Sequence, residues 1–328
     1  VKGGFNKTRS VLLNPPFTER IQLLFLKGVE MLPVVKQYDI VYAGNYTKDT
    51  ITTPSEVRYV DGGGCNYAAH AGVRMGLKTA VVTRLAREDH GMIDSLTRSG
   101  VDCYPEYTPT STCITLEYKT ANVDQRNLYI TTTAGTIVSE QMAALQAKTI
   151  VVSPSLRGEV GLEFFQTMHQ REGQVLAADV QGFVRVLRGQ TLVYEPWEEM
   201  PAVLGCLDIL KSDAVEAEFL TGKKDIHEAA RVYASMGPSE IVLTHSEGVL
   251  IHAGGKDYHF KFYPGSVIGR SGRGDTCLGT YAARRLSVSP EEAGRWAAAV
   301  TSMKLEKLGP FDRTMAEAQA FLQSHYLA

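Results

Sequence analysis

"GRSGRGDTC", residues 269–277, places three glycines and one carboxylate, Asp275, between an apolar strand pattern and a long helical one, "LGTYAARRL" (278–286). The spacing predicts a helix starting near Gly274–Asp275. The first turn of a helix carries unsatisfied N–H groups and about half a positive charge. Glycines just before it let the backbone N–H groups of Gly272, Arg273, Gly274 and Asp275 converge on one point, because no Cβ stands in the way. Such a point suits a phosphate. A carboxylate there repels the phosphate and makes sense as a base that takes a proton from an attacking hydroxyl. The plainer reading keeps Asp275 as a helix N-cap after an ordinary glycine turn, and the nonapeptide alone does not choose between them. The sequence has no GxxxxGK[ST] phosphate loop, and these glycines do not follow GxGxxG. "RGD" as an adhesion tripeptide is a chance match.

Outward from this turn the chain alternates strands and helices. Short apolar runs at 38–44, 79–86, 149–155, 174–180, 207–213 and 240–245 read as buried strands. Helical spacing follows at 66–77, 88–100, 159–171, 183–188 and 213–221. That alternation predicts a mostly parallel sheet covered on both faces. Residues 50–61 and 103–132 break the rhythm: Thr, Tyr, Ile and Val alternate with period two, with a turn near Asn122. They predict a small separate β-sheet, used as a lid or an interface.

Composition narrows the class. The 328 residues carry 34 Lys and Arg against 36 Asp and Glu, a net charge of −2, so no global field favours nucleic acid or a membrane surface. Cys65, Cys103, Cys113, Cys206 and Cys277 are scattered, without CxxC or metal-ligand spacing, and read as reduced thiols of a cytoplasmic protein. No run approaches the ~18 apolar residues of a membrane helix. Residues 1–36 lack a clear period and read as an N-terminal extension. "LKGVEM" (26–31) fits a translated leader with the native start at Met31, or else a real N-terminal arm.

A second motif lies far upstream. "DGGGCNYAAHAGVRMGL" (61–77) has glycines, then Asn66, then small residues up to a Gly. Together with 269–286 it resembles the two signatures of the ribokinase-like (PfkB) carbohydrate kinases, in the right order, over roughly residues 38–310. The resemblance implies a three-layer α/β/α sandwich with a mostly parallel central sheet and a small β-sheet lid, within a kinase domain at 37–328. It implies transfer of the γ-phosphate of ATP, with Mg²⁺ and in some members a monovalent cation, to a hydroxyl of a sugar, polyol or nucleoside.

The same resemblance distributes roles. Asp49, in "GNYTKDT", falls where a carboxylate binds substrate hydroxyls, a pairing that suits a polyol. Gly63, Gly64 and Asn66 fall on the substrate side. "ADVQGFVR" (178–185) resembles an Asp-x-Asn-x-x-x-Arg region with Gln181 in place of Asn, so Asp179 and Arg185 carry over. "KSDAVEAEFLTG" (211–222) offers Lys211, Asp213 in place of Asn, and Glu216, which would reach Mg²⁺ through water. Thr244 and Gly248, in "LTHSEGVLI", and Ser302, in "AAAVTSMKLEKLG", fall on the nucleotide side. The main departure is Arg273, where a small residue is usual; its guanidinium points to solvent or reaches the phosphates.

The expectation is thus a carbohydrate kinase with Asp275 as base and Gly272, Arg273 and Gly274 as the phosphoryl cradle. Two alternatives stay open. One is a nucleoside kinase whose base packs on Tyr46, Tyr59 or Tyr129. The other is a non-catalytic sugar- or nucleotide-binding regulator. The lid sheet offers a surface through which two copies could pair.

Overall fold

The computed structural model describes residues 35–120 and 127–327; the leader reading around Met31 lies outside the described residues. Lys36–Ala328 cluster as one unit. Its strands, in chain order, are β1 Lys36–Ala43, β2 Thr47–Thr52, β3 Val57–Gly62, β4 Thr79–Ala86, β5 Asp102–Thr108, β6 Thr112–Glu117, β7 Asn127–Thr132 and β8 Leu145–Val152. They continue with β9 Val175–Asp179, β10 Arg185–Arg188, β11 Thr191–Tyr194, β12 Ile209–Asp213, β13 Glu240–Thr244, β14 Gly248–Ala253 and β15 Lys256–Lys261.

Nine strands form the main sheet in the order β15-β14-β13-β12-β9-β8-β1-β4-β5. It is parallel from β13 to β5 and antiparallel only through β13–β14–β15. The short apolar runs explain why both faces are buried. In β1, Ile40 and Tyr42 enter one core, against the helices Gly64–Arg74, Arg273–Arg285 and Pro290–Leu305. Val41 and Ala43 enter the other, against Leu162–His169, Met200–Leu204 and Ile226–Ala234. Helix, sheet and helix thus make the expected three layers. Among the described residues no helix is long and apolar enough to cross a membrane, and the five cysteines are unpaired.

A second sheet of six strands, β10-β11-β7-β6-β2-β3, stands apart. Its composition corrects the sequence reading in two places. Residues 102–108 are not part of it, because β5 pairs in parallel with β4 along the main sheet edge. Residues 183–188, read as helix, hold only the end of a single turn, Gln181–Val184, before β10 turns back as a hairpin with β11. Arg-Val-Leu-Arg has too few residues to show a period, so the hairpin is visible only through its partner β7. The segment read as one helix over 88–100 is a 3₁₀ stretch, Arg87–Ile93, followed by a short α-helix, Asp94–Arg98; Gly91 in its middle weakens a continuous α-helix.

Parallel strands all present their carboxyl ends on one side, which is where ligands bind in open α/β sheets. Asp179, Asp213 and Thr244 end β9, β12 and β13. Thr47 and Asp49 enter the second sheet just after β1. One end of the main sheet therefore gathers most of the residues singled out above.

Candidate active site

The helix Arg273–Arg285 begins one residue earlier than its sequence suggested. Gly272 is its cap, in the left-handed region at φ +75°. A Cβ at Gly272 would overlap the Tyr67 ring, so both conformation and space require glycine. The turn closes by Arg273 N–H donating to the Arg270 carbonyl at 3.2 Å and Thr276 N–H to Gly272 at 2.9 Å. Gly274 and Asp275 lie in the first turn, where N–H groups have no carbonyl within the helix to accept them. Arg273 is half-buried, and its charge reaches His245 just beyond β13.

Asp275 is buried, and its Oδ1 has no hydrogen-bond partner among the described residues. Burial pushes its carboxyl up to about 6, the Asp179 charge adds to this, and Lys211 and Arg185 oppose it. A Cβ on Gly64 would come within 2.6 Å of Asp275 Oδ1. The upstream glycine motif therefore matters because it lets the helix Gly64–Arg74 start hard against the carboxylate.

Beneath the turn lies a buried charge cluster. Lys211 Nζ is 2.9 Å from Asp179 Oδ2 and 4.0 Å from Glu216 Oε2. A Cβ on Gly274 would meet Lys211 Nζ at 2.5 Å, so this ammonium lies directly under the glycine turn. Burial pulls Lys211 down, but Asp179, Glu216, Asp213 and Asp275 outweigh it and hold its pKa raised. Arg185 approaches Glu216 Oε1 at 3.9 Å. Glu216 is pushed up to about 7 by burial, with Lys211 opposing.

Glu216 also does structural work. Asp213 caps the helix Ala214–Thr221 by accepting from Glu216 N–H at 2.8 Å, and Glu216 Oε2 accepts from Asp213 N–H at 2.9 Å. This reciprocal box accounts for Asp213 at a place where Asn was expected. Among the described residues no group of three or more His, Cys, Asp or Glu side chains is arranged to hold a metal ion. Mg²⁺ keeps much of its water and takes phosphate oxygens, needing one or two carboxylates. Glu216 fits that need through water, since only Oε1 is outside the capping box.

Asp275 faces a pocket lined by Thr47, Asp49, Gly63, Gly64, Tyr67 and Arg185, with Ser155, Gln181, Ser271 and Gly272 completing its polar wall. The second sheet closes it with Ile114, Leu116, Leu128 and Leu192. Asp49 Oδ1 accepts from Thr47 Oγ1 at 2.6 Å, which orients the carboxylate. Asn66 is buried just outside this lining, donating to the Asp61 carbonyl at 3.3 Å, while its Oδ1 has no hydrogen-bond partner among the described residues. Asp179 lies behind the pocket, on Lys211.

The donor-side residues gather less tightly. Thr244 is buried at the end of β13, its hydroxyl without a partner among the described residues. Gly248 is needed for packing, since a Cβ there would overlap the Phe260 carbonyl. Ser302 is fully buried and committed internally: its Oγ accepts from Tyr263 N–H at 2.9 Å and donates to the Ala298 carbonyl at 2.7 Å. Tyr326 OH lies 3.2 Å from the same oxygen. Tyr46 is sealed in the core, Tyr59 is 82% exposed, and Tyr129 bonds Glu117. None of these three tyrosines lines the pocket; the aromatic ring that does is Tyr67.

Several site residues escaped sequence reasoning. Tyr67 and the lid leucines were not singled out there, and Gln181 stood only as a departure from a pattern. Lys304, buried in the helix Pro290–Leu305, donates to the Gly269 carbonyl at 2.8 Å and lies over the Tyr67 ring at 5.5 Å. Burial pulls it down to about 8, with the Asp275 charge opposing. Its signal was available: a lysine inside an otherwise apolar helical run is rarely buried without a partner.

Comparison with known proteins agrees with this geometry. The pfkB family carbohydrate kinase description matches residues 30–315. No curated protein sequence matches the chain. Among solved structures, a pyrophosphate-dependent kinase of the ribokinase family, bound to sulfate, is 32% identical over 86% of this chain and 99% of its own, with a TM-score of 0.80. A pyrophosphate-dependent myo-inositol-1 kinase, converted into a myo-inositol-3 kinase by two substitutions to leucine, is 31% identical over 88% and 100%, with a TM-score of 0.80. Arabidopsis thaliana ribokinase, complexed with ribose and ATP, shares the fold at 19% identity over 88% and 99%, with a TM-score of 0.71. The chain therefore belongs to the pfkB family of carbohydrate kinases, phosphotransferases whose acceptor is a sugar or polyol hydroxyl.

Proposed function

We propose that the protein transfers a phosphoryl group from pyrophosphate to a ring hydroxyl of a cyclic polyol of the myo-inositol type. The observation that carries the reading is Asp275: a buried carboxylate with an unpartnered oxygen, opening a helix at a glycine turn and facing the pocket that Asp49 lines. In this reading Asp49 and Arg185 hold acceptor hydroxyls, and Asp275 Oδ1 removes the proton of the one that attacks the terminal phosphorus, while the bond to the bridging oxygen breaks and orthophosphate leaves. The first-turn N–H groups and Lys211 beneath them stabilise the charge that develops on the transferred group. Glu216 would hold Mg²⁺ through water when the metal arrives with the donor, and the metal would supply neutralisation of phosphate charge. The lid leucines exclude water, which would otherwise be phosphorylated in the acceptor's place.

Two observations favour pyrophosphate as donor. Two relatives above 30% identity are pyrophosphate-dependent kinases. Ser302, on the helix expected to flank an adenine, offers no free hydroxyl, because Tyr263, Ala298 and Tyr326 take it up. A second reading keeps the same chemistry with MgATP as donor. Thr244 supports it, as a buried hydroxyl without an internal partner beyond the glycine turn.

The test is product formation, followed by phosphorus NMR, with each donor against myo-inositol, ribose, fructose and adenosine. Phosphorylated myo-inositol from pyrophosphate, with kcat/KM at least about tenfold above that with ATP, is the expected result; a tenfold ratio corresponds to about 1.4 kcal/mol of differential transition-state binding. Turnover with ATP alone replaces the donor assignment. No phosphorylated product from any pair overturns the acceptor assignment.

A further inference from the structure

The apolar wall of the acceptor pocket is a row rather than a scatter. Leu116 on β6 stands directly opposite Leu128 on β7. The register Thr191↔Tyr129 between β11 and β7 puts Leu192 beside Leu128 on the same face. Asp49 stands beside Ile114 in the pairing of β2 with β6. Residues two apart on a strand share a face, so the polar anchor Asp49 and the leucine row are presented to the pocket by one sheet face. Leu116 is 6% exposed, and it and Leu128 both line the pocket.

A leucine row has no hydrogen bond to offer. A hydroxyl pressed against it loses its water and gains no partner, at a cost of the order that lets sites reject or reorient hydroxyl compounds. A cyclitol ring must therefore lie with a C–H face on the leucines. In myo-inositol one hydroxyl is axial, and the hydroxyls at positions 1 and 3 flank it as mirror images. Which of the two reaches Asp275 follows from which way the axial hydroxyl is turned. A wall that binds hydroxyls and a wall that refuses them therefore select opposite faces of the ring, and with them opposite members of this pair.

Resting on the acceptor reading above, we infer that Leu116 and Leu128 are specificity-determining residues that present the 3-hydroxyl of myo-inositol, not the 1-hydroxyl, to Asp275. The leucine row carries the selection between the two hydroxyls; its direction is taken from the pyrophosphate-dependent relative that becomes a myo-inositol-3 kinase on gaining two leucines.

The experiment identifies the enantiomer of inositol phosphate formed by the full-length protein from myo-inositol and pyrophosphate or MgATP, by chiral chromatography. The wild-type protein is expected to give the 3-phosphate in at least about tenfold excess, a ratio equal to about 1.4 kcal/mol. The double variant Leu116→Asn/Leu128→Ser is expected to shift the product ratio at least about tenfold toward the 1-phosphate. Leu128→Ser alone, at the half-buried position, is expected to shift it part of the way and covers the case in which the double variant does not fold. A wild-type product that is the 1-phosphate overturns the inference, as does an unchanged enantiomer ratio in a variant that still turns over. A wild-type protein that phosphorylates other polyols but not myo-inositol overturns the acceptor reading, and the inference with it.

Discussion

Replacing Lys211 with Met tests the buried charge cluster that underlies the whole site. Lys211 is 3% exposed, and its ammonium is paired at 2.9 Å with Asp179, which is 0% exposed. Methionine fills much of the same volume but leaves the buried Asp179 carboxyl without the ammonium that pairs it. Removing one partner of a buried pair costs about 3–5 kcal/mol, because the remaining charge has no solvent to turn to. In a chain of this size that corresponds to a fall in melting temperature of about 5–15 °C. Asp179→Asn in the Lys211→Met background removes the stranded charge, so the double variant should regain about 2 kcal/mol or more relative to additivity. A second readout is independent of stability. Lys211 opposes the upward shift of Asp275, so its loss should move the acid limb of kcat/KM upward from near pH 6. Urea denaturation of the two single variants and the double variant, with pH–rate profiles on folded protein, reads both. Additive losses in the cycle, or an acid limb that stays put in Lys211→Met, would refute the reasoning.

Four further outcomes follow from the same geometry. With Asp275 as the proposed base and its carboxyl pushed up to about 6, wild-type kcat/KM should rise with pH through that value and level off above it. Asp275→Asn should lower turnover by about 10²–10⁴ or more while donor binding, read by calorimetry, persists; turnover within tenfold of wild type would remove Asp275 from the reaction. Gly272→Ala should cost more stability than Gly189→Ala. Both glycines have positive φ, at +75° and +62°, but only the Gly272 Cβ meets a neighbour, the Tyr67 ring; strain alone is worth about 1–2 kcal/mol, and equal losses would mean that the ring simply moves aside. Glu159 is buried, accepts from Ser155 N–H at 2.6 Å, and is pushed up to about 8 by burial. Its folded value lies above the unfolded one, so its protonated form is retained on folding and stability falls as pH rises from about 4.5 to 8, by up to about 1.4 kcal/mol per pH unit. Glu159→Gln removes that dependence, and its melting temperature should gain on wild type between pH 5 and pH 8; a gap that does not widen would contradict the buried-acid account.

The sequence by itself determined the layered α/β architecture, because strands buried on both faces must be short apolar runs and the helices between them must be amphipathic or small-residue. It also located the glycine turn at Gly272–Asp275, because a left-handed residue before a helix leaves glycine as its mark. Asp49 and Arg185 were legible only through resemblance. The tertiary structure decided what local pattern cannot encode. It assigned β5 to the main sheet, since the pairing of 102–108 with β4 lies between residues distant along the chain. It made Asp213 and Glu216 a capping box as well as site neighbours, and it spent Ser302 inside the protein. It turned Leu116 and Leu128 from ordinary strand residues into a pocket wall: a leucine on a strand reads the same whether its face meets a core or a ligand, and only strand register and the position of the second sheet over the carboxyl ends distinguish the two.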